Sequence, residues 1–118
     1  MIISVDLDGV ICELKQADEF YTDVLPKTGA VKTLQDLKAA GHYIIIQTAR
    51  HMHTCNGDVN KVVARIGKIT LDWLHRYEIP YDEIHFGKPN ADVYIDDRAL
   101  KFKSWGELSL DDYHEDSR

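Results

Sequence analysis

Apolar and polar positions divide the chain into two kinds of segment. Some are short continuous apolar runs ended by polar residues or glycine, as is typical of buried strands. Two others, 30–40 and 58–79, carry apolar residues at steps of three and four, which predicts amphipathic helices. The order strand, helix, strand, helix, strand, strand predicts an α/β fold, a Rossmann-like three-layer α/β/α sandwich around a central parallel sheet. The apolar runs are 1–7, 43–47, 83–86 and 92–95.

Each predicted strand runs directly into polar residues that can take part in chemistry. Open α/β sheets bind ligands at the edge formed by the carboxyl ends of their strands. We therefore expect these polar residues to converge, although they are far apart in the sequence. In chain order they are Asp6 and Asp8, Thr48 and Arg50, Lys88, and Asp96 with Asp97.

The residue types in this set favour a magnesium ion and a phosphate group. Three or four neighbouring carboxylates repel one another unless a cation lies among them. Oxygen donors without cysteine or a positioned histidine suit Mg²⁺. Thr48 and Lys88 add a hydroxyl donor and a positive charge for a phosphate dianion. Once that charge is neutralised, an aspartate can attack phosphorus. The set therefore predicts a phosphorylated small molecule as the substrate.

These residues also carry a resemblance to a known family. Four motifs occur in order, each at the end of a predicted strand, and together they span residues 2 to about 100. They resemble the motifs of the haloacid dehalogenase superfamily of phosphohydrolases. The resemblance implies the fold of that superfamily and the hydrolysis of a phosphate monoester. The motifs are Asp6-Leu7-Asp8-Gly9-Val10, Ile46-Gln47-Thr48 with Ala49-Arg50, Gly87-Lys88-Pro89, and Tyr94-Ile95-Asp96-Asp97.

The resemblance implies catalytic roles for four of the residues. Asp6 would be the nucleophile that forms an aspartyl-phosphate, and also a ligand of Mg²⁺. Asp8 would protonate the leaving alcohol and then activate water, while its backbone carbonyl binds the metal. Thr48 would bind the phosphoryl oxygens. Lys88 would balance the negative charge of Asp6 and of the phosphoryl group.

The same resemblance implies further contacts to the metal and to the phosphate. Asp97 would be the third protein ligand of Mg²⁺, and Asp96 would either bind the metal directly or support it from one layer further out. Which of the two touches the metal stays open. The backbone amides of Leu7 and Ala49 would complete the phosphate cradle.

The spacing of the motifs leaves no room for a cap domain. A flap and one helix fill the chain between Asp8 and Thr48, and a loop, a long helix and a strand fill it between Thr48 and Lys88. The chain is thus similar to capless members, in which a neighbouring subunit can cover the open site, so a homo-oligomer is one expectation. It is most similar to small phosphatases associated with capsular polysaccharide biosynthesis. Deoxyribonucleotidases share its Ile95–Arg98 ending but have a cap.

Four residues in or near the motifs have structural or solvent-exposed roles as alternatives to functional ones. Arg50 either contacts the substrate or pairs with a nearby carboxylate. His51 and His53 are a solvated pair in the loop after Thr48 or, because that loop borders the pocket, substrate contacts. A transition-metal site would need a third ligand, and none is evident. Cys12 is interpreted as a small packed residue.

Composition and charge narrow the choice of partners. The chain has 118 residues, 44% of them apolar and 29% charged, which predicts one globular domain over 1–110 and a polar, acidic tail over 111–118. A net charge of −6 argues against nucleic acid as the partner. No apolar stretch is long enough to span a membrane and no signal-peptide pattern is visible, so we expect a cytoplasmic protein.

Three functional classes compete for this set of residues. The first is a Mg²⁺-dependent phosphatase acting on a sugar phosphate or related metabolite, with a nucleotidase-like phosphatase as its variant. The second is a signalling receiver, which is disfavoured because receivers carry their paired acids after the first strand, whereas Asp96-Asp97 follows the last predicted one. The third is a phosphoryl-binding module without catalysis, which should have lost at least one motif residue.

Overall fold

Three parallel strands form the sheet of the protein. The computed structural model describes residues 1–112, and its strands are β1 (Ile2–Asp6), β2 (Tyr43–Thr48) and β3 (Glu83–Phe86). They are hydrogen-bonded in the order β1-β2-β3, with both pairs parallel. A helical connection joins each strand to the next, as parallel pairing requires. The predicted parallel α/β architecture is therefore confirmed.

The register of the sheet aligns the carboxyl ends of its strands. Asp6 lies opposite Gln47 across the first pair, and Thr48 lies opposite Phe86 across the second. Because all three strands run in the same direction, the residues that follow them emerge at one edge of the sheet. This edge carries the candidate site.

Two helical stretches correspond to the two predicted amphipathic segments. The first is α1 (Ala30–Ala39). The second begins at the predicted cap Asp58, whose side chain accepts a hydrogen bond from a backbone amide of the first turn. It continues through α2 (Val59–Val62), a π-helical turn (Val63–Gly67) and α3 (Lys68–Arg76). Turns of the π type are rare and occur often at functional sites.

The main core lies between the sheet and these helices. Along β2, Ile44 and Ile46 are fully buried, whereas the alternate residues Ile45 and Gln47 are only half-buried. The strands follow one another across the sheet in the same order as along the chain. With right-handed crossovers, both helical connections then lie on the same face of the sheet. Helices on both faces, as expected of a three-layer sandwich, stay a prediction. Further core side chains are Val5, Leu7, Leu34, Trp73 and Leu74.

The prediction of a fourth strand over 92–95 is wrong. These residues form no strand in the structure, and Val93 and Ile95 are 71% and 97% exposed. The contacts of this segment are local, since the hydroxyl of Tyr94 donates a hydrogen bond to the carbonyl of Pro89. The outer edge of β1 consequently has no strand partner within the described part of the chain.

A 3₁₀ turn (Leu110–Asp112) ends the described part of the chain. It includes the start of the predicted tail over 111–118, of which residues 113–118 lie outside the described residues. Among residues 1–112, no helix combines the length and the apolar character needed to cross a membrane.

Candidate functional site

The end of β1 carries Asp6, and a lysine from another strand end lies against it. The Nζ of Lys88 is 3.2 Å from Oδ2 of Asp6. The other carboxylate oxygen accepts a hydrogen bond of 2.9 Å from the backbone amide of Leu7. The side chain of Lys88 is 14% exposed and that of Asp6 is 32% exposed. The ion pair is thus partly desolvated and still open to a small ligand.

The backbone after β3 brings Lys88 to this place. The amides of Gly87 and Lys88 both donate to the carbonyl of Thr48, at 3.2 and 3.1 Å. Gly87 has a φ of 103°, which residues with a side chain rarely adopt. A Cβ at this position would also lie 2.8 Å from a methyl group of Val59. The turn that directs the lysine towards β1 therefore depends on a glycine.

Asp8, two residues beyond β1, is held by two residues that end and follow β2. Its Oδ2 accepts a hydrogen bond of 3.0 Å from the hydroxyl of Thr48. The Nε of Arg50 lies 2.9 Å from Oδ1 and 3.2 Å from Oδ2. The Thr48 hydroxyl also accepts a hydrogen bond from the Arg50 amide. The predicted residues of the first two strand ends are therefore in direct contact.

The guanidinium of Arg50 occupies a buried pocket behind Asp8, and its side chain is 0% exposed. Its Nη1 donates to the hydroxyl of Thr70 on α3 at 3.2 Å, and its Nη2 lies 3.5 Å from the sulfur of Cys12. Its Cζ is 4.1 Å from the centre of the Tyr21 ring, within the range of cation–π attraction. Of the two interpretations of Arg50, the structure shows the pairing with a carboxylate.

Burial and the charge of Asp8 raise the pKa of two neighbouring groups. Burial raises the pKa of the Cys12 thiol to about 12, and the Asp8 carboxylate adds to this shift. Burial, followed by the same carboxylate, also raises the pKa of Tyr21. Both groups are therefore protonated at neutral pH. The thiol of Cys12 lies 3.6 Å from both Oδ1 of Asp8 and the carbonyl of Leu7, and its full burial in the main core confirms the interpretation as a small packed residue.

The two histidines lie in the loop after β2. His53 is exposed, whereas His51 is half-buried with its ring centre 5.8 Å from that of Tyr21. The Nδ1 of His51 is buried and has no hydrogen-bond partner among residues 1–112. Burial lowers the pKa of His51, and the charges of Arg65 and two other basic side chains lower it further. Contact of this loop with a substrate stays a prediction.

Two predicted phosphate contacts are engaged within the protein. The amide of Leu7 donates to a carbonyl of β2 at 3.0 Å as well as to the carboxylate of Asp6. Thr48 is fully buried with its hydroxyl on Asp8, and Ala49 beside it is half-buried. A phosphate bound at this edge would have to take over donors that now serve the two carboxylates.

The structure does not bring Asp96 and Asp97 to the carboxylates that follow β1. Both residues are exposed, because their segment does not pair with the sheet. Within the described residues, no group of three or more acidic, histidine or cysteine side chains could hold a metal ion. The predicted four-acid magnesium site is therefore not assembled. The carboxylate of Asp6 and the backbone carbonyl of Asp8 fit Mg²⁺ as part of a site, which lacks the carboxylate expected from Asp96 or Asp97.

A cavity of about 360 Å³ opens beside Asp6 and Lys88. It runs along the unpaired outer edge of β1, and its walls include Arg98 and Trp105. The indole of Trp105 donates to the carbonyl of Val10 at 2.8 Å and so anchors the far wall. The ion pair at the end of β1 therefore faces a space large enough for a small ligand.

Two residues of this site were missed by sequence reasoning. Thr70 interrupts the apolar stripe of α3 at a fully buried position, and its hydroxyl donates to the carbonyl of Ile66 at 2.8 Å while accepting from Arg50. A hydroxyl on the buried face of a helix was a signal that could have found it. Tyr21 lies in a stretch without periodicity, where no signal was available.

Comparisons with known proteins give two similar solved structures. No protein-family model matches the sequence, and no curated protein matches it. A chain of a Pnkp1/Rnl/Hen1 complex has 23% sequence identity and a TM-score of 0.51 over 81% of this chain and 30% of that one, which shows the fold alone. An MCSG target from Vibrio cholerae, known from a crystal structure, has 35% identity and a TM-score of 0.83 over 93% of this chain and 90% of that one. The chain belongs to the same family as this Vibrio cholerae protein.

Proposed function

We propose that the protein is a Mg²⁺-dependent phosphatase of the capless haloacid-dehalogenase type, with its three-layer fold. It would act in the cytoplasm on a sugar phosphate or related small metabolite, as in capsular polysaccharide biosynthesis. The observation that carries the proposal is the meeting of three strand ends at one sheet edge. Lys88 lies on Asp6, and Thr48 lies on Asp8. We call Asp6, Asp8, Thr48, Arg50 and Lys88 the strand-end cluster.

Asp6 is the proposed nucleophile. One of its carboxylate oxygens attacks phosphorus, and the bond between phosphorus and the alcohol oxygen of the substrate breaks. The pairing of Oδ2 with the ammonium of Lys88 orients the carboxylate. The same ammonium is close enough to the reacting group to offset the negative charge that a phosphate dianion brings to an aspartate. The product of this step is an aspartyl-phosphate and a free alcohol.

Asp8 is the proposed acid and base. In the first step its protonated form gives a proton to the leaving alcohol oxygen, and in the second the resulting carboxylate takes a proton from the water that attacks the aspartyl-phosphate, which restores the acid. Its side chain is 23% exposed, so one face of the carboxyl group is open to the substrate. Thr48 and Arg50 hold the opposite side. A carboxyl group that is open to the substrate and also held by neighbouring side chains can transfer protons without changing its position.

Magnesium belongs to the proposal, with the carboxylate of Asp6 and the backbone carbonyl of Asp8 as two of its three protein ligands. When bound, Mg²⁺ would supply positive charge to the transferring phosphoryl group. The third protein ligand would be the carboxylate of Asp97 or of Asp96. The ring of Tyr94, two residues before Asp96, lies 4.1 Å from the Nζ of Lys88. The chain therefore passes close to the site just before the acidic pair. The unpaired edge of β1 is an available place for this segment to pair.

Phosphate release by the wild-type chain and by Asp6→Asn tests the proposal. The wild-type chain should release phosphate from sugar phosphates when Mg²⁺ is present. Loss of the nucleophile should reduce the rate by at least about 1,000-fold. The matched control is Asp72→Asn, which removes the same charge from an exposed position on α3. Wild-type inactivity on every phosphate ester, or full activity of Asp6→Asn, would overturn the assignment.

The magnesium part has its own test. Asp97→Asn and Asp96→Asn should raise the Mg²⁺ concentration needed for half-maximal activity, and the variant of the direct ligand should raise it more. Asp92→Asn, in the same exposed segment, is the control and should not change it. Unchanged magnesium dependence in both acidic variants would remove the pair from the metal site.

The same assay separates the competing functions. Nucleoside monophosphates in the substrate panel test the nucleotidase-like variant of the proposal. A phosphoryl group that remains on an aspartate without release of phosphate would indicate a receiver-like protein instead. Light scattering over a range of concentrations tests the expected homo-oligomer, and a monomer throughout would contradict it.

A further inference from the structure

Arg50 is the most deeply buried charge of the strand-end cluster. Its side chain is 0% exposed, whereas that of Asp8, its partner, is 23% exposed. A bound substrate can therefore reach Asp8 and cannot reach the guanidinium behind it. Any effect of Arg50 on the reaction must pass through the carboxylate that it touches.

The pocket around Arg50 is built to hold a guanidinium in one orientation. A buried charge is costly unless it is paired and hydrogen-bonded, and here each nitrogen has a neighbour. Nε pairs with Asp8, Nη1 donates to Thr70, and Nη2 lies on Cys12. The ring of Tyr21 covers one face of the planar group. Because the guanidinium is flat and rigid, these contacts fix the direction of its Nε–H.

The second helical stretch in turn holds the Thr70 side of the pocket in place. The Thr70 hydroxyl that accepts from Arg50 donates its own proton to the carbonyl of Ile66. Ile66 lies in the π-helical turn, one turn before Thr70. The irregular turn therefore has a direct hydrogen-bonded connection, through two side chains, to the carboxylate of Asp8.

We infer that Arg50 is a positioning residue for Asp8, holding its carboxyl group at the angle from which it passes a proton to the leaving oxygen. This inference rests on the proposed phosphatase function. A displacement of about 1 Å in a reacting group can cost about 100-fold in rate. Both oxygens of Asp8 lie within hydrogen-bond distance of Arg50. Without it, Thr48 would be the main remaining constraint on the carboxyl group.

Leaving groups of different basicity test this inference. An alkyl phosphate such as 2-glycerophosphate releases a basic alkoxide that needs a proton, whereas p-nitrophenyl phosphate releases a phenolate that scarcely needs one. Arg50→Gln should lower kcat/KM for the alkyl ester by about 100-fold, within the range typical of general acid catalysis. For the aryl ester the loss should be less than about threefold. A purely structural role would lower both by the same factor.

Coupling to Asp8 gives a second readout. Asp8→Asn should show the same preference for the aryl ester, and the double variant Asp8→Asn/Arg50→Gln should be no worse than Asp8→Asn alone. Arg50→Lys keeps the charge but not the planar fork, so it should recover only part of the alkyl activity. The control is Arg76→Gln, an exposed arginine on α3 that lies against Tyr77, and it should leave both esters unaffected.

The outcomes are separable. No hydrolysis of either ester by the wild-type chain would overturn the proposed function, and the role of Arg50 with it. Hydrolysis by the wild type with equal losses on both esters would overturn the role of Arg50 alone. Circular dichroism checks the fold of each variant. If neither Arg50→Gln nor Arg50→Lys folds, Arg50 is a structural residue and the inference is also wrong.

Discussion

The strand-end cluster and the segment 92–97 both carry aspartates at the end of a predicted strand, but the two regions have opposite surroundings. The cluster lies at the end of a paired sheet, where Thr48 and Arg50 are buried and both of its carboxylates have a cation beside them. The segment also contains an apolar run, but Val93 and Ile95 in that run are 71% and 97% exposed. The presence of suitable residue types in the sequence is therefore not enough to assemble a site.

The difference between the two regions lies in the backbone. Parallel pairing of β1, β2 and β3 carries each following residue to one edge. The segment 92–97 has no such pairing, and its hydrogen bonds are local, as in the contact between Tyr94 and Pro89. The unpaired segment leaves Asp96 and Asp97 exposed. The following predictions break or sharpen this contrast.

The largest expected effect comes from the core beneath the cluster. Ile46→Ala, at a fully buried position of β2, should lower the free energy of unfolding by about 2–5 kcal/mol, because it removes buried methyl groups and leaves a cavity. Ile95→Ala, in the exposed segment, should change it by less than about 0.5 kcal/mol. Urea denaturation measures both. A large loss in Ile95→Ala would mean that the segment is packed, which would break the contrast.

The second-largest expected effect is the loss of activity when the charge of Lys88 is removed. Lys88→Met keeps much of the side-chain length and removes the charge beside Asp6, so kcat/KM should fall by about 100- to 1,000-fold. Lys103→Met removes the same charge from an exposed position and should have no effect. The measurement is phosphate release at saturating Mg²⁺. Equal effects of the two variants would show that Lys88 is only a surface charge.

The turn before Lys88 should tolerate no side chain. Gly87→Ala should lower the free energy of unfolding by about 1–3 kcal/mol, because its φ is 103° and the new Cβ would lie 2.8 Å from Val59. Gly41→Ala is the control, since Gly41 has a φ of 93° but no neighbour within 4 Å of a Cβ. Only Gly87→Ala should also reduce phosphate release. Equal losses of stability would show that Val59 moves aside.

The smallest effect concerns Asp82, on the loop before β3. It accepts hydrogen bonds from Lys38 at 2.5 Å and from the amide of Ile44 at 2.8 Å, and these lower its pKa below the usual 3.8, the lysine most. A pKa lowered by folding stabilises the protein above the unfolded-state pKa, and this is lost as the pH falls through the folded-state pKa. Asp82→Asn should therefore be less stable than the wild type at pH 7.

Urea denaturation at pH 7 and near pH 3 measures this dependence. The difference between the wild type and Asp82→Asn should shrink at the lower pH, which lies below the usual pKa of 3.8 that this carboxyl group has in the unfolded chain. The two midpoints are compared at each pH, so effects of acid on other groups cancel. A difference that stays constant across this range would show that the Lys38 pair does not stabilise the fold.

Much of this site could be predicted because it follows from strand ends. The apolar runs at β1, β2 and β3 predicted the sheet, and the sheet predicted that Asp8 and Thr48 would meet. The wrong prediction of a strand at 92–95 also came from the pattern of apolar residues. The three apolar or neutral residues after Asp92 form a strand only if a partner edge is present, and sequence pattern alone cannot show whether the edge of β1 is taken.

The contacts of Arg50 lie beyond what the pattern could predict. Arg50 follows β2, Thr70 lies on α3, and Tyr21 lies in a stretch without periodicity. No regular spacing relates these positions, because they meet only when the helix packs on the sheet. The sequence left two interpretations of Arg50, and the packing selected the one that pairs it with Asp8.

The sequence by itself determined the parallel α/β architecture and the polar residues that follow β1, β2 and β3, because hydrophobic periodicity and chain order are properties of the sequence. Only the tertiary structure decided which of those residues meet. It joined Asp6 to Lys88 and Asp8 to Arg50, and it left Asp96 and Asp97 exposed. The physical reason is that a long-range contact depends on strand pairing and burial, both of which require the whole chain to be folded.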